Sequence, residues 1–158
     1  MRSELNHLYF DEKVTGSPLP ATAALYNLVN KQGYQDIILD LRRCKKISAE
    51  VMLPFATMCR SYRKQKIDFE ILLPEIKSVS NFLINTNWAH LIKPEKYEST
   101  TLRNIQHVAA LQFMNSDEHH KVVDSSINLI LSVVPGIDRR RIKALEWALN
   151  EITGPSQV

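Results

Sequence analysis

The sequence predicts an α/β fold in which helices pack on a mixed sheet of about four strands. The main observation is the stretch from Gln35 to Leu73, where two apolar runs enclose a segment with helical spacing. Parallel neighbouring strands need a crossover connection, and a helix usually provides it. The apolar content of 44% and the charged content of 23% are those of an ordinary globular chain. A length of 158 residues suffices for one domain, or for one small domain and part of another.

Composition excludes several classes of protein. The net charge of +3 is too small to indicate a nucleic-acid binder, for which a concentrated basic face is expected. The longest apolar run, Ile127 to Val134, is far shorter than the roughly 18 to 20 residues that span a bilayer, so no membrane segment is expected. Met1 to Glu4 precedes no apolar core, which argues against a signal peptide. With only Cys44 and Cys59 present, no disulfide framework is expected, and a reducing, cytoplasmic location is predicted.

The first part of the chain predicts a strand, a connector and a helix. Leu5 to Val14 alternates loosely between apolar and polar residues, which indicates one strand at an edge of the sheet. Thr15 to Pro20 contains a glycine and two prolines and is typical of a connector. Ala21 to Lys31 has apolar residues at helical spacing, and Gly33 is a suitable C-terminal stop.

The central unit predicts a strand, a tight basic turn and a helix. Asp36 to Leu41 has the nearly continuous apolar character of a strand that is covered on both faces. Arg42 to Lys46 makes the turn. Val51 to Tyr62 forms an apolar helical stripe with Ser48 as its candidate N-cap. Because proline is tolerated only near a helix start, we expect the helix to begin near Val51, with Pro54 in its first turn.

The unit closes with a second strand, Phe69 to Leu73, after which Pro74 is expected to open a helix. Asn85 to Asn87 ends this helix, and Trp88 to Ile92 indicates a short closing helix. The polar stretch from Pro94 to Asn104 lacks a clear period and predicts a domain boundary. In the helix that follows Pro74, the residues that are expected to face the core are Ile76, Val79, Phe82 and Leu83.

A different pattern follows the boundary. Val108 to Phe113 suggests a strand, and Ser116 is the expected cap of a helix that runs to Val134. Pro135 and Gly136 stop this helix, and Asp138 is the expected cap of the last one. We expect the apolar stripes of these helices to pack either on the first part of the chain or on a second copy, because a large apolar patch would otherwise be exposed. Association of two copies through them is one of these two alternatives. The inward positions are Val122, Val123, Ile127, Ile130, Val133, Val134, Ile142, Leu145, Leu149 and Ile152.

No catalytic set and no metal site emerge from the titratable residues. Adjacent residues of the Asp117 to His120 run point about 100° apart on a helix, so a solvated first turn is preferred to a metal site. Glu146 and Glu151 point about 140° apart and do not form an acid/base pair. Cys59 lies on an apolar stripe, which indicates a buried thiol. Four glycines leave no room for a Gly-rich phosphate loop.

Two basic clusters leave alternatives open. Arg42, Arg43, Lys45 and Lys46 could be a solvated turn, a surface for an acidic protein partner, or a nucleic-acid contact. Nucleic acid is the weakest alternative because no aromatic stacking platform accompanies the cluster. Arg139 to Arg141 open the last helix, where positive charge is unfavourable to the helix dipole. That position fits a paired or binding role, although solvation alone also accounts for it.

The central stretch resembles STAS domains, the anti-sigma-factor-antagonist family. Their pattern is an apolar strand that ends in Asp-Leu, followed after a few residues by Asp-Ser-Ser-Gly at the start of a helix. Ile37 to Leu41 matches the strand, and Ile47 to Val51 occupies the turn and helix start. The likeness extends over about Leu5 to Lys93. It implies a bacterial signalling domain that binds other proteins, with residues 1–97 as the STAS-like domain and 98–104 as a linker.

The resemblance places Glu50 where the family carries its phosphorylatable serine. The usual phosphorylation is then not available, and Ser48 is the alternative position. A glutamate carries one fixed negative charge, whereas a phosphoserine carries about −1.5 to −2. Glu50 is therefore either the remnant of a switch that is held in one state or a favourable acid in the first turn of a helix.

The last third resembles the opening of a GHKL (histidine-kinase-like) ATPase domain, so residues 105–158 are expected to be an N-terminal fragment of one. The order is strand, long helix, Pro-Gly turn, and then Ala144 to Ile152, which is similar to the N-box helix of that family. Glu151 matches the family's glutamate, which activates water. The position of the magnesium-binding Asn falls on Pro155, and the later nucleotide motifs are absent.

Together these observations predict a non-catalytic regulatory module that binds a protein partner, which the resemblance suggests is a kinase or an anti-sigma-like ATPase. No cofactor is expected, and ATP with magnesium would be bound only by a longer parent protein. The alternative is the N-terminal part of an ATP-binding histidine-kinase-like protein whose nucleotide site is lost in this chain. A third hypothesis, RNA or DNA binding, predicts a steep salt dependence of affinity. The expected partner-binding residues are Arg42, Arg43, Lys45, Lys46, Ser48 and Met52.

Overall fold

A computed structural model of the protein describes residues 1–99, 109–110, 113 and 115–153, apart from the side chains of 152 and 153. The chain divides into two compact units, Met1–Thr101 and Leu102–Val158. The first unit contains a four-stranded mixed sheet with packed helices, which confirms the predicted α/β class. The described part of the second unit is helical. No helix among the described residues is both long enough and apolar enough to cross a membrane.

The first unit alternates strands and helices along the chain. Its main sheet has the order β1-β2-β4-β6, in which β1 and β2 are antiparallel and the remaining pairs are parallel. A separate small sheet pairs β3 with β5 in parallel. The elements are β1 (Arg2–Glu4), β2 (His7–Tyr9), β3 (Lys13–Val14), α1 (Leu19–Tyr26, continued by a π-helical segment Asn27–Lys31), β4 (Asp36–Asp40), β5 (Lys46–Ile47), α2 (Ala49–Lys64), β6 (Asp68–Leu72), α3 (Lys77–Asn85) and α4 (Trp88–Ile92).

One face of the main sheet forms the core. The register pairs Leu8 with Leu39 and Leu39 with Ile71, so these three side chains lie on the same face, and each is at most 1% exposed. Helices α2 and α4 pack on each other and both contact β6, and α1 packs on α2. The ring of Phe10 meets that of Phe55 edge-to-face at 5.3 Å. Burial of this apolar surface is the main stabilising term of the first unit.

The N-terminal segment differs from the single edge strand that was expected. Leu5 has a left-handed backbone (φ 51°) and turns the chain, so that residues 2–9 form a hairpin. The side chain of Asn6 donates hydrogen bonds to the carbonyl and the carboxylate of Asp36, at 3.1 and 2.8 Å, and anchors the turn against β4. Strand β2 consequently lies inside the sheet, and β1 occupies the edge.

Strand β4 was expected to be covered on both faces, and this is wrong for one face. Ile37 and Leu39 are buried, whereas Ile38 is only half-buried. The register places Ile38 between His7 and Glu70, and polar neighbours of this kind stay in contact with water.

Helix α2 begins two residues earlier than expected. Ser48 occupies the N-cap position with extended backbone, but its side chain makes no capping hydrogen bond. Pro54 is therefore the sixth helical residue and lies beyond the first turn, so the carbonyl of Glu50 loses its usual helical donor. Packing of the buried face of α2, which includes Phe55 and Cys59, outweighs this loss.

Helix α3 also begins elsewhere than expected. It starts at Lys77, three residues after Pro74, because Ile76 has extended backbone (ψ 110°). Ile76 is 41% exposed and does not face the core, whereas Leu83 is fully buried. Asn87 (φ 62°) ends α3 and starts α4, which confirms the closing helix at the predicted residues.

The second unit contains α5 (Ser116–Val133) and α6 (Lys143–Thr153). Asn115, not Ser116, caps α5, because its side chain accepts a hydrogen bond from the Glu118 N–H at 2.9 Å. The predicted strand at 108–113 lies largely outside the described residues, and 109, 110 and 113 have no regular structure. The core of the unit is formed by Val123, Ile127 and Ile142, with Ile130, Leu131, Ile137 and Leu149 packed against it.

Three expected core positions of the second unit are exposed. Val133 and Val134 lie at the C-terminal end of α5 and are 51% and 42% exposed, and Leu145 on α6 is 41% exposed. None of the three belongs to the cluster of apolar side chains that forms the core of this unit. Association of two copies through these helices remains a prediction.

Arg139, in the basic run before α6, is paired with carboxylates of both helices. Arg139 forms ion pairs with both Asp124 on α5 and Glu146 on α6. These bonds hold the pKa of the Glu146 carboxyl below its ordinary value. Arg139 thus links the two helices of the second unit, which accounts for one of the three arginines that sequence left open.

Leu8 and Leu5 provide a matched test of the core. We expect Leu8→Ala to lower the free energy of unfolding by about 2 to 5 kcal/mol, because it leaves a cavity in a fully buried site. Leu5→Ala, at a side chain that is 73% exposed, should change it by less than about 0.5 kcal/mol. Urea unfolding followed by circular dichroism measures both. Equal effects of the two substitutions would contradict the assigned core face.

Candidate functional site

The site begins where β4 ends, at an ion pair between Asp40 and Arg42. Asp40 is only 5% exposed. Its carboxylate accepts hydrogen bonds from the backbone N–H of Arg42 at 3.1 Å, from Nε at 3.0 Å and from Nη2 at 2.6 Å. These bonds hold the pKa of the Asp40 carboxyl below its ordinary value and raise that of the Arg42 guanidinium. Arg42 therefore fixes the turn and has little capacity left for a partner.

The basic segment begins with the expected tight turn, closed by a hydrogen bond from the N–H of Cys44 to the carbonyl of Leu41 at 2.8 Å. The residues that follow are tied to the chain before β3. The thiol of Cys44 is fully buried and donates to the carbonyl of Asp11 at 3.2 Å. The backbone N–H groups of Lys45 and Lys46 both donate to the carbonyl of Glu12, at 2.7 and 3.1 Å. Lys46 already belongs to β5 and pairs in register with Lys13.

The cations of this segment differ in whether they form an ion pair. Lys45 pairs with the carboxylate of Glu12 at 2.9 Å. The hydrogen bond from Lys45 and the charges of Lys45, Arg43 and Lys13 lower the pKa of Glu12. Arg43 and Lys46 are exposed and make no ion pair within the part of the chain that the structure describes. Of the four predicted basic residues, Arg43 and Lys46 thus remain available.

Glu50 connects the start of α2 to the loop after β3. Its Oε1 accepts a hydrogen bond from the backbone N–H of Gly16 at 2.9 Å and another from Ser48 Oγ at 3.0 Å. The bond from Gly16, then that from Ser48, lowers the pKa of the Glu50 carboxyl. Gly16 has φ +89°, a conformation that favours glycine and aims its N–H at the carboxylate. Glu50 is therefore an anion at a helix N-terminus, and two hydrogen bonds fix the position of its carboxylate.

Two sequence-based assignments change at this site. Met52 is 0% exposed, so it belongs to the core and is not available to a partner. It lies on the inward face of α2, as its apolar spacing indicated. Lys13 was missed, because only the pairing of β3 with β5 brings it beside Lys46. Without Met52, the predicted partner-binding residues are all exposed or half-buried, and we call them the β4–α2 surface, in which Arg42 and Lys45 are paired within the chain: Arg42, Arg43, Lys45, Lys46 and Ser48.

A cavity of about 300 Å³ opens next to this surface. Four buried apolar residues line it, namely Phe10, Val14, Ala21 and Val51. The exposed lining includes Lys13 and Ser17. A volume of this size is at the lower end of those that take small ligands or single side chains of a partner.

The second unit carries the remaining residues that sequence singled out. His119 is 3% exposed and its ring lies 5.0 Å from that of Phe113, so it does not belong to a solvated first turn. Its neighbours in the acidic and histidine run, Asp117, Glu118 and His120, are exposed. Within the described residues, no three His, Cys, Asp or Glu side chains could hold a metal ion. Glu151 is exposed on α6.

Comparison of the chain with protein-family models, with curated proteins and with solved structures finds no match.

The thiol inside the basic segment should be unreactive. Burial raises the pKa of Cys44 to about 12 and also raises that of Cys59. We expect both to react with a disulfide reagent at pH 8 slower than in urea by on the order of a hundredfold or more, because the thiolate fraction is small. A Leu5→Cys variant supplies an exposed control that should react at once. Fast labelling of the native wild-type protein would contradict the burial of the segment.

Glu50 should contribute to stability only above acidic pH. Its pKa in the folded state lies below the ordinary value of 4.5, so its contribution is fully present above that value and is lost as the pH falls through the folded pKa. Glu50→Gln should therefore lower stability at pH 7 and reduce the loss of stability between neutral and acidic pH. Urea unfolding across this range measures it, with Glu98→Gln at an exposed site as the control. Parallel pH profiles for wild type and Glu50→Gln would contradict the role of the carboxylate.

Proposed function

We propose that the chain is a non-catalytic regulatory module of STAS type that binds a protein partner through the β4–α2 surface. The observation that carries the proposal is the state of Glu50, which accepts hydrogen bonds from Gly16 and Ser48 at the start of α2. The sequence resemblance places a reversible phosphorylation at this position. A carboxylate that is held by two donors supplies a constant negative charge there. The module would then present one binding state without a phosphate switch.

The chemistry of the surface favours binding over catalysis. Ser48 Oγ is 3.0 Å from Glu50 Oε1, which is the separation expected of a nucleophile and its base. The pKa of Glu50 is lowered, however, and a general base works best when its pKa lies near the working pH. We therefore assign Ser48 and Glu50 a positioning role in the loop and no reaction step. Ser48 is also a poor site for a phosphate, because Glu50 would repel it.

The shape and charge of the surface suit a protein partner, and the resemblance suggests a kinase or an anti-sigma-like ATPase. Arg43 and Lys46 are exposed, and Lys46 pairs in register with Lys13, which lines a cavity with an apolar floor. Protein interfaces combine such features. A cytoplasmic location belongs to the same proposal. Cys44 and Cys59 are both free thiols, which suits a reducing compartment.

Site-specific photocrosslinking in the source cells tests the proposal. A photoreactive residue such as p-benzoylphenylalanine is placed at Ala49, which is exposed at the first position of α2. The control position is Ser61, exposed on the same helix and about 18 Å away along its axis. We expect one defined protein adduct from position 49, with none from position 61. Adding Lys46→Glu should reduce the yield by about tenfold.

Two outcomes would contradict the proposed function. Adducts that are the same from positions 49 and 61 would show that the contact is not specific to the β4–α2 surface. Binding of ATP with magnesium, measured by calorimetry on the isolated chain, would favour the alternative of an ATP-binding histidine-kinase-like protein. We expect no heat of binding in that experiment.

A further inference from the structure

Three exposed cations of the first unit make no ion pair with any residue that the structure describes. Lys13 and Lys46 are register neighbours in the parallel pair of β3 and β5, so their side chains leave the small sheet on the same face. Like charges on adjacent strands repel each other. Arg43 lines a cleft together with Glu12, the residue that precedes Lys13 in the chain. We call Lys13, Arg43 and Lys46 the cation triplet.

Three carboxylates near the triplet bind other groups of the chain, and a fourth, Glu75, lines the same cleft as Arg43. Asp40 is bound by Arg42, and Glu12 is bound by Lys45. Glu50 accepts from Gly16 and Ser48. Among the described residues, none of the three triplet side chains makes an ion pair. The positive charges of the triplet are therefore available to carboxylates that come from outside the chain.

The triplet adjoins an apolar recess. Lys13 lines the cavity of about 300 Å³ whose buried lining includes Phe10, Val14 and Val51. An apolar side chain that filled this recess would be removed from water, while groups next to it in the partner would reach Lys13. Interfaces commonly combine one buried anchor with a charged rim in this way.

We propose that the β4–α2 surface, extended by Lys13, recognises an acidic segment of a protein. One apolar side chain of the segment enters the cavity, and flanking carboxylates pair with Lys13 and Lys46, with Arg43 at the outer end. The proposal rests on the proposed function, because it assigns the kind of partner that this same surface binds.

The same cations fit nucleic acid less well. Glu12 and Glu75 line the shallow cleft that Arg43 shares with Arg42 and Lys45, and their carboxylates would repel a continuous phosphate backbone. The lining of the cavity offers the ring of Phe10, but this ring is 4% exposed and cannot stack on a base. A short segment with a few carboxylates avoids this repulsion.

Panning of a random twelve-residue peptide library on the full chain tests the proposal. We expect the enriched peptides to be rich in Asp and Glu around a conserved Leu, Ile, Phe or Met. Replacement of that apolar residue by Ala in a synthetic copy should weaken binding by about tenfold, which corresponds to about 1.4 kcal/mol. Affinity is measured by fluorescence anisotropy, and NMR shift changes locate the peptide.

A pair of charge reversals supplies the matched control. Lys13→Glu with Lys46→Glu should weaken the enriched peptides by at least about tenfold. Lys31→Glu with Lys64→Glu makes the same change in net charge at exposed sites outside the surface, and it should alter the affinity by less than about twofold. Circular dichroism checks that both double variants are folded.

Each contrary result identifies what has failed. Peptides that bind at the β4–α2 surface without acidic enrichment would overturn the acidic partner and leave the proposed function intact. If no enriched peptide shifts the resonances of this surface, both the acidic partner and the proposed function are overturned. Binding of a single-stranded twenty-residue oligothymidine, with a steep salt dependence that the Lys13 and Lys46 reversals abolish, would replace the acidic segment by nucleic acid.

Discussion

The pairing of β4 with a parallel neighbour on each side is the constraint on which the first unit depends. β4 pairs with β6 over its whole length and with β2 from Ile38 to Asp40. The hydrogen bonds continue past its end, where the N–H of Phe10 donates to the Asp40 carbonyl and that of Leu41 donates to the carbonyl of Leu72. Because all three strands run in one direction, the chain segments that follow them emerge at the same edge of the sheet. The basic segment, the loop at Gly16 and the start of α3 meet there for this reason.

Hydrogen bonds at this edge of the sheet fix the positions of several charged residues. Leaving a buried carboxylate or amide unpaired costs more than a typical hydrogen bond contributes. The buried carboxylate of Asp40 therefore accepts hydrogen bonds from Arg42. At exposed positions, the carbonyl of Glu12 accepts from the N–H groups of Lys45 and Lys46, and the carboxylate of Glu50 accepts from the N–H of Gly16. Because some cations of the basic run pair within the chain, fewer of them are free than the sequence suggests, and the free ones lie at different positions. A partner can bind only these unpaired cations, so the composition of the basic run alone overstates the positive charge that is available to it.

Two of the helices with an acidic residue in the first turn use that residue in different ways. Glu50 in the first turn of α2 acts on a distant loop and so couples a helix start to the segment after β3. Glu146 in the first turn of α6 binds Arg139 just before its own helix, and Arg139 also binds Asp124 on α5. Both placements suit the positive end of the helix dipole. The first organises a surface, and the second stabilises a pair of helices.

Apolar spacing by itself determined the class of the fold, the two parallel strands around α2 and most of the core, because burial of periodic side chains is a local property of the sequence. It also predicted the inward position of Met52, but the basic neighbours of that residue suggested a surface role that burial excludes. Element ends such as those of α2 and α3 depend on backbone conformation at single residues, and periodicity does not report it. Only the tertiary structure decided that Lys13 lies beside Lys46 and that Glu50 reaches Gly16. These contacts join residues 33 and 34 positions apart, and such pairs are set by strand pairing and not by local sequence.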